Sequence, residues 1–187
     1  PQYWAWRLTG VLATDVTSLG CHTDLWLPWE KRFSPLVDRL GIAGKIAPAR
    51  RSSEVLGTVQ SGLGLPPVPV ACGIHDSNAS LLPHVMGRTG AFSVVSTGTW
   101  VVVMGGAATR LDPGRDVLVN VNALGAPVPS ARFMGGREYE TIRAGADPAT
   151  TEADRAAVLR SGAMILPAVE PASGPFPGRT MRWVAEP

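Results

Sequence analysis

The sequence predicts an α/β protein, and three observations carry that reading. An apolar run over residues 68–73 passes through a glycine turn into residues 74–82, which hold good helix formers after an acidic and a hydroxyl residue; this is a strand, a turn and a helix N-terminus. After Gly87 and Gly90 the period shortens, and residues 91–95 and 100–104 alternate as strands. Helical spacing returns in residues 137–142 and 152–159.

Taken in chain order, Tyr3, Trp4 and Leu8 fall at helical spacing before Thr9-Gly10, so the chain opens on a helix expected to turn its aromatic face inward. Thr14-Asp15 offers a cap for a second helix over residues 16–26. Ser34-Pro35 starts a third, with Leu36, Val37 and Leu40 as its apolar stripe and Gly41 as its stop. Residues 55–59 read as a short strand and residues 62–69 as a proline-rich turn. Ser96-Thr97-Gly98-Thr99 links the two strands of a hairpin, and residues 117–122 alternate like another half-buried strand. A domain boundary is expected near Gly87 to Gly90, where helical periodicity gives way to alternation.

With 45% hydrophobic and 17% charged residues in a chain of 187, a packed core is expected and disorder is not. That length holds one compact domain or two small ones. No run of 18 apolar residues occurs, and Pro1-Gln2-Tyr3-Trp4 carries no charged stretch ahead of an apolar one; a soluble, cytoplasmic protein is the expectation. Lys and Arg total 17 against 15 acidic residues and are scattered, so neither a nucleic acid nor a membrane is expected as a partner. Cys21 and Cys72 lack metal or CxxC spacing; both are expected to be buried free thiols, and no metal site is read from the sequence. The chain begins without Met inside a helical pattern and stops without a cap, as a piece of a longer protein would.

Two groups of residues can carry chemistry. Asp76 sits where a strand runs into a helix, the place where α/β proteins put catalytic carboxylates, although the same carboxylate also suits a helix cap. Ser96 to Thr99 form a tight turn able to aim N–H groups and hydroxyls at an anion, or simply an ordinary hairpin turn. A Walker loop is excluded, because the only lysines, Lys31 and Lys45, lie in unrelated surroundings. Gly135-Gly136 reads as a chain turn, His22 with Thr23 as a polar pocket wall or a helix end, and a Cys72–His75 nucleophile pair lacks an orienting third group.

Together these residues resemble the FGGY carbohydrate kinases, in particular their rhamnulokinase and fuculokinase branch. The likeness rests on Tyr3 to Gly10 followed by Asp15-Val16-Thr17-Ser18, on Gly73-Ile74-His75-Asp76, on Val95 to Trp100, and on the stretch from Asn120 to Glu138, in that order and spacing. It implies a ribonuclease-H-like fold of the actin, hexokinase and Hsp70 superfamily, with residues 1–88 ending a sugar-binding domain and residues 89–187 beginning an ATP-binding one. It further implies ATP and Mg2+ as cofactors and a small sugar, a ketose, as substrate. Asp76 would be the general base, and Ser96, Thr97, Gly98 and Thr99 would cradle the phosphates. His75, Ser18, His22 and Thr23 would line the sugar pocket; a homodimer of the full-length parent is left open, since the sequence does not say whether it is a dimer. The acidic first phosphate loop and the glycine-rich adenosine segment of such kinases are absent from these residues, so the piece alone is expected to be inactive. A sugar-binding or scaffold protein that keeps the fold without turnover is the rival reading, and a protein-directed ATPase of the superfamily is a third.

Overall fold

The computed structural model describes residues 2–105 and 111–185. By its internal contacts the chain divides into two compact units: one takes in the chain through Val94 and returns for Val119–Pro129, and the other holds Val95–Met104 and the chain from Ser130 onward.

In the first unit, helix α1 (Gln2–Thr9) lies against a two-stranded antiparallel pair, β5 (Val55–Thr58) and β6 (Pro69–Ala71). The expected aromatic packing is reversed. Ala5 is the buried residue of α1, while Tyr3 and Trp4 are 60% and 68% exposed, because the small side chain lets the helix sit close to the pair and leaves the rings outside. Strand β1 (Thr14–Asp15) pairs in parallel with β4 (Ala49–Arg50) and feeds α2 (Val16–His22). Helix α2 is shorter than its pattern suggested. Thr23 is already extended, and Trp26 belongs to β2 (Trp26–Leu27), which pairs with β3 (Arg32–Phe33) and stacks edge-to-face on Phe33. Gly20 sits where a Cβ would come within 2.5 Å of Val121 Cγ2, so only glycine lets α2 approach Val121.

Helix α3 (Leu36–Arg39) forms after Ser34-Pro35 as expected, but buries only Val37; Leu40, the third residue of the expected stripe, is exposed. Helix α4 (Asp76–Gly87) outruns the expected stop at residue 82 and carries Pro83 within it. Asn78 and Leu81, three residues apart on one face, are almost completely buried and fix its inner side.

A four-stranded sheet follows in the order β7 (Ser93–Ser96), β8 (Val101–Gly105), β10 (Pro127–Phe133), β9 (Val117–Val121). The hairpin and the strand near residue 117 are both present as the alternation foretold; β10 had no such signal. Within the second unit β8 and β10 run antiparallel, with Ser130 opposite Met104 and Phe133 opposite Val101. Helix α5 (Gly135–Arg143) starts at the glycine pair that the sequence suggested as a turn. Helix α6 (Glu152–Ser161) is closed by a capping box between Thr151 and Asp154 and stopped by Gly162 in the left-handed region. Strands β11 (Met164–Leu166) and β12 (Arg182–Val184) pair antiparallel at the end.

Candidate active site

Asp76 is the first residue of α4, directly after the turn that leaves β6. It is not the cap. His75 holds the N-cap position without a capping side-chain bond, and the Asp76 carboxylate accepts only from the adjacent Ser77, from its backbone N–H at 2.6 Å and its hydroxyl at 3.4 Å. The carboxylate is 93% exposed and has His75 Nε2 3.0 Å from Oδ1. The Ser77 N–H, and after it the His75 ring, holds Asp76 below the usual aspartate range, so it is a carboxylate at neutral pH.

His75 meets a second imidazole. Its Nε2 lies 2.8 Å from His22 Nε2, with the rings edge-to-face and their centroids 4.4 Å apart. Burial pushes the His75 pKa down, and His22 adds to that, while Asp76 and Asp15 oppose it; the ring is therefore neutral near pH 7. Two helix ends thus bring His22, His75 and Asp76 together across more than fifty residues of sequence.

The other residues expected at the sugar pocket are engaged locally. Ser18 Oγ donates to Asp15 Oδ2 at 3.0 Å. Thr23 Oγ1 donates to the Leu19 carbonyl at 2.7 Å and accepts from Leu25 N–H, which closes α2. Cys72 is fully buried and Cys21 only half-buried, short of the burial expected for both. Burial raises both thiols to about 11, so neither supplies a thiolate at neutral pH, and the Cys72–His75 nucleophile reading loses its chemistry.

Ser96 to Thr99 lie in the second unit and are described by themselves. Ser96 ends β7 half-buried; Thr97, Gly98 and Thr99 are exposed. A Cβ at Gly98 would meet only the Trp100 carbonyl oxygen, at 3.7 Å, so an anion can approach the backbone there. The turn rests on the start of α5. Gly136 N–H donates to Thr99 O at 3.2 Å, and a Cβ on Gly136 would fall 2.4 Å from Gly98 O and 2.8 Å from Thr99 Cα. Only its lack of a side chain allows that approach, whereas the sequence suggested the glycine pair only as a chain turn. An open cavity of about 300 Å³ in the same unit is lined by Phe133, Ile142, Ile165, Leu166 and Phe176, and by Glu138 and Ser173. Both polar residues are engaged by backbone N–H groups, of Glu170 and Met134, so they are poor handles for orienting a ligand.

The described residues gather no group of three or more His, Cys, Asp and Glu that could cage a metal, and no described helix is long and apolar enough to cross a membrane.

The chain is similar over its whole length to a carbohydrate kinase from Novosphingobium aromaticivorans, with 43% identity and a TM-score of 0.84, and spans 45% of that protein. It is similar over 98% of its length to a ligand-bound xylulose kinase from Lactobacillus acidophilus (18% identity, TM-score 0.69) and to a Plasmodium falciparum glycerol kinase with ADP (14%, 0.69), spanning 40% of each. None of the curated proteins compared matches it. The fold is the ribonuclease-H-like α/β fold of the actin, hexokinase and Hsp70 superfamily, as expected. The model of the carbohydrate kinase FGGY C-terminal domain matches residues 89–187, just over half of the 187 residues, and the chain therefore belongs to the FGGY carbohydrate kinase family.

Proposed function

We propose that this chain is the middle of an ATP-dependent sugar kinase in which residues 1–88 end the sugar-binding domain and residues 89–187 begin the ATP-binding one. The acceptor is a small ketose of the rhamnulose, fuculose or xylulose kind, and the reaction takes place in the cytoplasm. The ordered motif set favours the rhamnulokinase and fuculokinase branch.

One observation carries the reading: Asp76 is an ionised, exposed carboxylate at a helix start that it does not cap. ATP, when bound, would supply the phosphoryl group, and Mg2+ would screen its charge. Asp76 takes the proton from the attacking sugar hydroxyl. A carboxylate held below its usual range is a weak base, but a loose phosphoryl transfer needs positioning and charge stabilisation more than basicity. His22 and His75, paired through their Nε2 atoms, stand beside Asp76, with Ser18 on the helix of His22 and Thr23 just past its end, so these four are read as the wall facing the sugar. Ser96 to Thr99 hold the phosphates: Thr97 and Thr99 are exposed, and Gly98 leaves its backbone open.

Asp76→Asn tests the reading in the natural full-length protein, because Asn keeps size and hydrogen bonding while removing basicity. The expected result is a folded variant that binds ATP and loses about 10² to 10⁴ in kcat, with a smaller change in KM. Wild-type kcat at saturating sugar and ATP would remove Asp76 from the mechanism. Sugar binding without ATP turnover in the unaltered protein would favour the scaffold reading instead.

A further inference from the structure

The geometry points to Thr17, held by the buried carboxylate of Asp15, as a positioning residue for Asp76; the inference rests on the reading of Asp76 as the base.

The Asp15 side chain is completely buried. Its carboxyl group accepts five hydrogen bonds: from Thr17 N–H at 3.1 Å, Ser18 N–H and Ser18 Oγ at 3.0 Å each, Ser52 Oγ at 3.1 Å, and the Thr17 hydroxyl. Capping α2 uses only the two backbone N–H groups, so the remaining donors exceed what a helix cap requires.

Two of those donors lead to the turn that presents Asp76. Thr17 Oγ1, whose hydrogen points to Asp15, accepts the His75 backbone N–H at 2.9 Å. Ser52, tied to Asp15 through its hydroxyl, accepts Gly73 N–H on its carbonyl at 3.2 Å, and Glu54 O accepts Cys72 N–H at 2.9 Å. Cys72, Gly73 and His75 are thus pinned by Glu54, Ser52 and Thr17, the last two themselves held by the buried Asp15 side chain. Gly73 adopts φ +99°, so the turn has a shape that few residues other than glycine accept. Asp76 follows at once, and nothing in its own side-chain contacts beyond Ser77 and His75 fixes it. Its location is therefore set from behind, through the backbone of His75, by Thr17.

The test is a double-mutant cycle in the natural full-length protein, reading kcat and the KM values for sugar and ATP. Thr17→Val keeps the shape and removes the hydroxyl; Thr17→Ser restores it. The expected result is a kcat loss of about ten- to a hundredfold for Thr17→Val, since a displacement near 1 Å costs on that order, with KM for ATP unchanged and recovery in Thr17→Ser. In an Asp76→Asn background the same substitution should cost almost nothing, because there is no base left to misplace. Should Thr17→Val not fold, Ser52→Ala, which releases the Ser52 loop from Asp15, carries the same comparison. An equal fold-loss in both backgrounds would mark Thr17 as structural only and overturn the inference while leaving Asp76 as base. Wild-type kcat in Asp76→Asn alone would overturn both.

Discussion

His75 joins the stability of the site to its chemistry. Its imidazole is held below the ordinary histidine value of 6.5, by burial first and by His22 second. Between that depressed value and 6.5 the folded protein binds fewer protons here than the unfolded chain, so stability rises with pH across the window. The contribution is complete above 6.5 and is lost as pH falls through the folded value. Thermal midpoints should therefore drop as the protein is taken from pH 7 towards pH 5, and His75→Gln should flatten that slope. An unchanged slope in the variant would assign the acid sensitivity to other groups. Asp76, depressed in the same cluster by the Ser77 N–H, stays ionised throughout this window, so any acid limb of kcat between pH 5 and 7 belongs to a group other than Asp76.

The helix–turn contact between α5 and Ser96 to Thr99 makes its own demand on sequence. Because a Cβ at position 136 would overlap the Gly98 carbonyl and Thr99 Cα, both backbone atoms, Gly136→Ala must move either the turn or the helix. If the turn holds ATP, the substitution should raise KM for ATP about tenfold, leave KM for sugar near wild type, and cost about 1 to 3 kcal/mol in stability. Gly44→Ala, where a Cβ meets nothing within 4 Å, is the matched control and should be silent in all three measurements. Stability lost with KM for ATP unchanged would separate the turn from nucleotide binding.

Across the whole chain much apolar surface stays open: Trp4, Met86 and Leu159 are 68%, 68% and 83% exposed, and Tyr3 and Trp29 about as bare as Trp4. Surface of that kind marks contact with other protein, and this chain spans less than half of the kinases it resembles. The 187 residues made alone should bind a hydrophobic dye, associate as concentration rises, and consume no ATP with any sugar; a dye-silent monomer with turnover would overturn this. The natural full-length protein should prefer ketoses. An acceptor screen in which glycerol or an aldose exceeds every ketose tenfold, about 1.4 kcal/mol in transition-state binding, would count against that choice.

Sequence by itself determined the elements whose signals are local: the cap at Asp15, the glycine turn before α4, the strands around Ser96 to Thr99, and helices α5 and α6. Those signals are carried by residues within a turn or two of one another, and they supplied the fold class and the Asp76 candidate. Tertiary structure alone decided what lies across long separations. It turned the α1 aromatics outward, ended α2 before Trp26, brought His22 to His75, and tied Thr17 and Ser52 to one buried carboxylate. No local pattern encodes such contacts, because a hydroxyl or an imidazole reads the same in sequence whether its partner is water or a side chain fifty residues away. The glycine pair at 135 and 136 lies between the two: the sequence read it as a chain turn, and only packing showed that Gly135 makes room for Val101 and Phe133 and Gly136 for Gly98 and Thr99.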